Sequence, residues 1–268
     1  SPIVLLNDEV SQETLNGAFE TLRRRVRGRP EDRIVVFLAG HMDVRDGYFC
    51  LLLPTAEMPE GPQFVAMRGT DGAPTRPPGQ DPTLLPYGLI HRNLAAADSL
   101  NRLVIVDACQ AEAVLDAPIV LAQRRRALRR NAEQDAYQAR TSYIFAARKG
   151  ERAGESERLQ HGLLTYALLR GMGRDGLGPQ PDLPVFERYP NADEDRDGWV
   201  ETKELGRYAD LTLPVLAQAY PQLVLRGAPD PDQPREPARA IARDAEQQSS
   251  FRLVQLASQA EGAGGPTP

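Results

Sequence analysis

Two stretches of the chain are apolar without a break: Leu103 to Val106, between Arg102 and Asp107, and Ile34 to Ala39, between Arg33 and Gly40. Short aliphatic, β-branched runs of this kind fit parallel strands covered on both faces better than strands with one wet face. Thr141 to Ala147 predicts a third strand, Gly47 to Leu53 a fourth, and Pro2 to Leu6 a short one at the start. Helical spacing fills the intervals. Ser11 can cap a helix on which Leu15, Phe19, Leu22 and Val26 recur, with Glu13 in its first turn and Gly28 and Pro30 ending it. Leu89 to Leu100 (Leu94 facing inward), Leu163 to Leu169, and Leu205 to Tyr220 interrupted by Pro214 read as further helices.

That order of elements predicts an α/β fold with a mostly parallel central sheet. At 268 residues the chain can bury one substantial core, so residues 1–227 are expected to form one domain. Residues 54–82 turn to Pro, Gly, Thr and Asp with no apolar period, which predicts a long loop or insert carrying no chemistry. Residues 228–268 are expected to be a partly disordered extension, in which Ala238 to Ala260 can form one amphipathic helix bearing Ile241, Phe251, Leu253 and Leu256.

A net charge of −5 argues against general affinity for nucleic acid. The basic stretch Arg124 to Arg130 leaves only a weak nucleic-acid reading beside that of a solvated helix face. No apolar run reaches the length of a membrane span, and the opening residues are not expected to act as a signal peptide. Cys50 and Cys109 are the only cysteines, so no disulfide framework is implied, and a reducing cytoplasm is expected.

Candidate chemistry gathers where the two apolar runs end. In open α/β sheets ligands bind beyond the carboxyl ends of the strands. The 103–106 run is followed by Asp107, Ala108 and Cys109, and the 34–39 run by Gly40 and His41. Alone, Cys109 reads equally well as a buried structural thiol. An imidazole on a second strand end shifts the balance, because a thiol needs a nearby base or cation to become thiolate near neutral pH. His91, on a predicted helix, reads as a surface or capping residue, His161 as structural, and Cys50 as core.

Phe37 to His41 followed by Val106 to Gln110 resembles the His/Cys dyad of caspase-like cysteine peptidases, above all bacterial members and metacaspases. Thr141 to Ala147 is similar to their fourth core strand, and Gln160 to Gly171 to the helix that follows it. The resemblance runs from about residue 3 to about 225. It implies a three-layer α/β/α sandwich, with an earlier strand and helix absent from this chain and supplied by an upstream region or a partner chain. It also implies a cysteine endopeptidase acting on protein substrates. Cys109 would be the nucleophile and His41 its partner, with the backbone N–H groups of Cys109 and Met42 holding the oxyanion. The family's usual glycine is Met42 here, and Gln110-Ala111 replaces His-Ser, so a side chain at 42 is expected to narrow the groove or turn the amide. Asp107 would meet a basic P1 residue, with arginine preferred, where aspartate-cutting caspases present arginines; the plainer reading has Asp107 capping local amides. Residues 121–140 fall where such peptidases are cut during activation, and residues 148–155 where the substrate groove is bordered.

Residues 193–204 match a calcium-loop pattern position by position. Asp193, Asp195 and Asp197 offer hard oxygens, Gly198 the sharp turn, Trp199 its carbonyl, and Glu201 and Glu204 further carboxylates. Six acids in twelve residues repel one another unless a cation sits among them. Pro179 to Asn191 is too rich in proline to be the first helix of a paired EF-hand. A calcium-modulated peptidase is the expected function, and a catalytically weak caspase-like scaffold or calcium-responsive interaction module is the alternative.

Overall fold

The computed structural model describes residues 1–45, 48–53, 82–108, 141–147, 153–174, 177, 182–220, 224–225, 241–243 and 250–256. Cys109, the basic stretch 121–140 and all but the last residue of the 54–82 insert lie outside the described residues.

Residues 2–6 form no strand; a 3-10 turn at Asn7–Glu9 leads directly into helix α1, Gln12–Val26. Its cap is reciprocal: the Thr14 N–H donates to Ser11 Oγ at 3.1 Å, and the Ser11 N–H donates to Thr14 Oγ1 at 2.9 Å. Gly28, at a φ of 68° that other residues rarely adopt, turns the chain out of the helix.

Strand β1 (Arg33–Ala39) follows, then β2 (Met42–Arg45), β3 (Tyr48–Leu52) and β4 (Leu84–Pro86), which form a separate antiparallel sheet in the order β2-β3-β4. Helix α2 (Tyr87–Ala95) leads to β5 (Asn101–Asp107), and β6 is Thr141–Phe145. Next come β7 (Gly154–Ser156), β8 (His161–Gly162) and helix α3 (Leu163–Gly171). The five-residue helix α4 (Pro184–Arg188), β9 (Trp199–Glu201), helix α5 (Thr202–Ala219) and β10 (Val224–Leu225) follow. The last elements among the described residues are β11 (Ile241–Arg243) and β12 (Arg252–Gln255).

The main sheet runs β1-β5-β6-β11; β1, β5 and β6 are parallel, and β11 is antiparallel to β6. Successive residues of a strand point to opposite faces, and β5 divides its side chains accordingly. Leu103 and Ile105 join Ile144, Leu164, Leu168 and Leu213 in one core, while Val104 and Val106 join Phe19, Ile34, Leu38 and Ile90 in another. Helices therefore cover both faces of β5, and burying each of these aliphatic side chains stabilises the fold by about 1.5–3 kcal/mol.

Three expectations are corrected. The β1 run is as apolar as β5 but stands at one end of the sheet, so Val35 and Phe37 remain 51% and 47% exposed. Ile34, Val36 and Leu38 pack under α1 and α2, whereas Val35 and Phe37 face a side where α3 and α5 cover only β5 and β6. Helix α5 passes through Pro214, although a proline inside a helix costs about 3 kcal/mol. Burial of Leu213 and Leu216 on either side of it supplies the opposing term. The single helix expected over residues 238–260 is not formed, since β11 pairs with β6 and β12 pairs with β9. Phe251 and Leu253, two apart, have the spacing of a strand face, and Phe251 is buried in the α3/α5 core.

Candidate functional site

The register of β1 against β5 sets Ala39 opposite Asp107. His41 lies two residues beyond Ala39, and Cys109 two residues beyond Asp107. Imidazole and thiol are thus carried at equal distances along the chain past the paired ends of adjacent parallel strands. The Gly40 N–H donates to the Asp107 carbonyl at 3.4 Å, closing the two strand ends together. Gly40 then turns the chain into β2, and its φ of 150° is one that residues with a Cβ rarely adopt. His41 emerges exposed, with its carbonyl accepting from the Leu52 N–H at 2.9 Å. The Met42 side chain turns away from the surface into the core with Leu51 and Leu85, so it does not narrow a groove beside His41.

Asp107 is only 1% exposed. Its Oδ2 accepts the Thr165 N–H at 3.3 Å and also the Thr165 hydroxyl. A carboxylate at the first turn of α3 interacts favourably with the helix dipole and satisfies an amide that has no partner within the helix. This arrangement depends on Gly162, because a Cβ there would overlap Asp107 Oδ2 and come within 3.0 Å of its Cγ. The backbone of Gly162, at φ −59° and ψ 146°, is open to any residue, so the requirement is one of space. Gly162 and Thr165 are therefore supports of the strand-end acid that the sequence reading missed. The signal available was the Gly-x-x-Thr spacing at a helix start, which has meaning only once Asp107 is known to lie beneath it.

Cys50 is buried in β3, as expected, and His161 pairs across β8 with Ser156 of β7. His91, expected at the surface or as a cap, is instead half-buried on α2, with its Nδ1 3.4 Å from the Tyr143 hydroxyl.

The acidic loop folds around its own backbone. Carboxylate oxygens of Asp193, Asp195 and Asp197 lie within 4.8 Å of one another, and together they can hold a metal ion. Asp193 accepts from the N–H groups of Asp197 at 3.1 Å and Gly198 at 3.0 Å, while Gly198 takes a φ of 83°. Glu204 is engaged otherwise: its Oε1 accepts the Glu194 N–H at 2.9 Å and its Oε2 the Glu201 N–H at 2.8 Å, fastening the loop to the start of α5. Glu201 and Glu204 are not gathered with the three aspartates. Two arginines already offset the acids, Arg252 on Asp197 and Arg207 on Glu194, each at 2.8 Å. The Arg252 guanidinium also lies 5.2 Å from the centre of the Trp199 ring. Pairing of β9 with β12 places Arg252 there, a partner that no loop pattern in the sequence announces.

No protein-family model matches the chain, and no curated protein matches it at a significant level. Fold and side-chain geometry define a mixed α/β protein with three parallel strands, an imidazole and a buried acid at the ends of two of them, and an acidic loop able to hold a cation. Among the described residues no helix is long and apolar enough to cross a membrane.

Proposed function

We propose that this protein is a caspase-like cysteine endopeptidase. The observation that carries the reading is the β1/β5 register, which pairs Ala39 with Asp107, residues that precede His41 and Cys109 by two positions each in the sequence. Helices on both faces of a parallel sheet agree with a three-layer α/β/α sandwich of that family.

In the proposed reaction Cys109 Sγ attacks the scissile carbonyl carbon and forms a thioester as the C–N bond breaks. His41 polarises that carbonyl or delivers a proton to the departing amine, and water then releases the acyl group. The backbone N–H groups of Met42 and Cys109 would stabilise the oxyanion. Inward packing of the Met42 side chain keeps it out of any groove beside His41 and so supports that role over the rival reading of an inactive scaffold. Asp107 gives the P1 site a negative charge, which favours arginine for its planar, bidentate fork over lysine. Its burial under Thr165 equally suits a positioning role, in which the acid fixes α3 against the strand end.

Calcium is the cation proposed for the loop. Asp193, Asp195 and Asp197 would hold it, with the Trp199 carbonyl, Glu201 and Glu204 completing the shell once Glu204 releases its amides. The cation would draw residues 193–204 onto the start of α5, whose buried face packs against α3.

A panel of fluorogenic peptides differing only at P1, read with the parent chain, Cys109→Ala and His41→Ala, tests the proposal. The expected order is Arg over Lys, with Asp uncut and both variants inactive. Cleavage after Asp would remove the P1 assignment, and absence of any Cys109-dependent cleavage, with and without calcium, would favour the scaffold reading.

A further inference from the structure

Pro2 to Leu6 has the composition of a strand, yet it forms none. Ile3, Val4 and Leu6 are exposed, and with Val35 and Phe37 of β1 they make up five of the six large hydrophobic side chains exposed among the described residues. β1 stands at the end of its sheet, and its outer edge has no strand partner among the described residues. From Ile34 to Ala39 that edge carries no charge, proline or bulge, the devices that ordinarily keep a sheet edge from pairing. A strand-forming segment without a sheet and a sheet edge without a strand therefore carry almost all of this exposure.

Within one chain the two do not match. Arg25 Nη1, in the last turn of α1, donates to the Ser1 carbonyl at 2.6 Å, so Pro2–Leu6 runs back along the helix. β1 also runs back beneath α1, with Ile34 and Leu38 packed in one core with Phe19 and Val26. Both are opposite in direction to α1 and therefore parallel to each other. Pairing in that direction would bring Asp8 toward Ala39, whose partner in the sheet is Asp107, acid toward acid, and would set Arg33 at the apolar end of the segment.

The opposite direction, open to a segment from another copy, matches side chain with side chain. Set antiparallel with Leu6 opposite Val35, the segment brings Val4 opposite Phe37 and Asp8 to the end of β1 that carries Arg33. Directly opposed residues of an antiparallel pair share a face, and aromatic–aliphatic and opposite-charge pairs there are stabilising. Val35, Phe37 and Arg33 are all on the exposed face of β1, and Asp8 is exposed as well.

We propose that two copies of this chain associate by exchanging Pro2–Leu6, each segment adding an antiparallel strand to the outer edge of the other copy's β1. The exchange is symmetric, so every contact occurs twice.

Sedimentation of the full chain over a concentration series tests this. A reversible monomer–dimer equilibrium with a micromolar Kd is expected. Phe37→Lys should weaken it at least about tenfold, because the lost contact counts twice. Asp8→Lys should also weaken it, and Asp8→Lys combined with Arg33→Glu should restore it. In a Cys109→Ala background, mixed Leu6→Cys and Val35→Cys chains should form a disulfide-linked dimer, since opposed Cα atoms about 4.5–5.5 Å apart are within disulfide reach. Mixed Leu6→Cys and Ala39→Cys chains should not. Should Phe37→Lys fail to fold, the linking experiment still decides the matter. A parent chain monomeric at about 1 mM would overturn the proposal and leave the edge to a different occupant. A dimer unaffected by Phe37→Lys, no recovery on charge exchange, or equal linking of Leu6→Cys to Ala39→Cys would overturn it as well.

Discussion

Gly162→Ala is the substitution on which the strand-end geometry makes its sharpest demand. The added methyl would overlap Asp107 Oδ2 and come within 3.0 Å of both Cγ and Oδ1, closer than real side chains tolerate. Asp107 is buried between β5 and the start of α3, so relief requires the carboxylate to move off the Thr165 N–H. Overpacking costs about 1–3 kcal/mol, and loss of a hydrogen bond to a charged group about 1.5–3 kcal/mol. We therefore expect Gly162→Ala to destabilise the protein by about 3 kcal/mol, measured as a fall in the urea midpoint at unchanged slope. Asp107→Ala, which leaves the Thr165 amide without its acceptor, should cost a similar amount. The double variant carries the decisive value. With the carboxylate gone the methyl meets no obstacle, so Gly162→Ala should add almost nothing to Asp107→Ala, giving a coupling energy of about 2–3 kcal/mol. Additive effects would refute the idea that Gly162 exists to make room for Asp107.

Three further outcomes follow from other parts of the molecule. Arg252→Gln frees Asp197 from its ion pair and should tighten calcium binding by isothermal titration; an exposed pair of this kind is worth about 0.2–1 kcal/mol, so the gain is at most about fivefold, and weaker binding would count against the loop as a cation site. Because the folded-state pKa of Tyr208 is raised to about 12 by burial, its contribution to stability is complete below pH 10 and is lost as pH climbs through 12; unfolding followed from pH 9 to 12 should show that loss, smaller in Tyr208→Phe. Ser11→Ala should lower stability by about 1 kcal/mol through loss of the α1 cap, read in the same urea assay.

Much of the sheet was legible because β5 has one solution: four aliphatic residues in a row need cover on two faces, and both cores supply it. The β1 run is just as apolar, yet Val35 and Phe37 are half exposed, because a run of residues does not record how many helices lie across its strand. The same limit hid β12. Phe251 and Leu253 are spaced as on a strand and Leu253 and Leu256 as on a helix, and only the partner β9 decides between them. At the strand ends, sequence order picked out His41 and Asp107, while Gly162 and Thr165 became visible only when α3 was seen to start above the acid. In the calcium-like loop the three aspartates gather as their spacing predicts, but Glu204 is turned to the backbone and Arg252 arrives from far along the chain.

The account stands on a reactive thiol served by His41, and covalent capture tests it most directly. The protein is treated with an arginine-ending peptidyl fluoromethyl ketone and followed by intact mass and peptide mapping. One adduct is expected, on Cys109 and not on the buried Cys50, lost in Cys109→Ala and formed far more slowly in His41→Ala. Equal labelling of Cys109 in the parent chain and in His41→Ala, or no labelling at all, would contradict the claim.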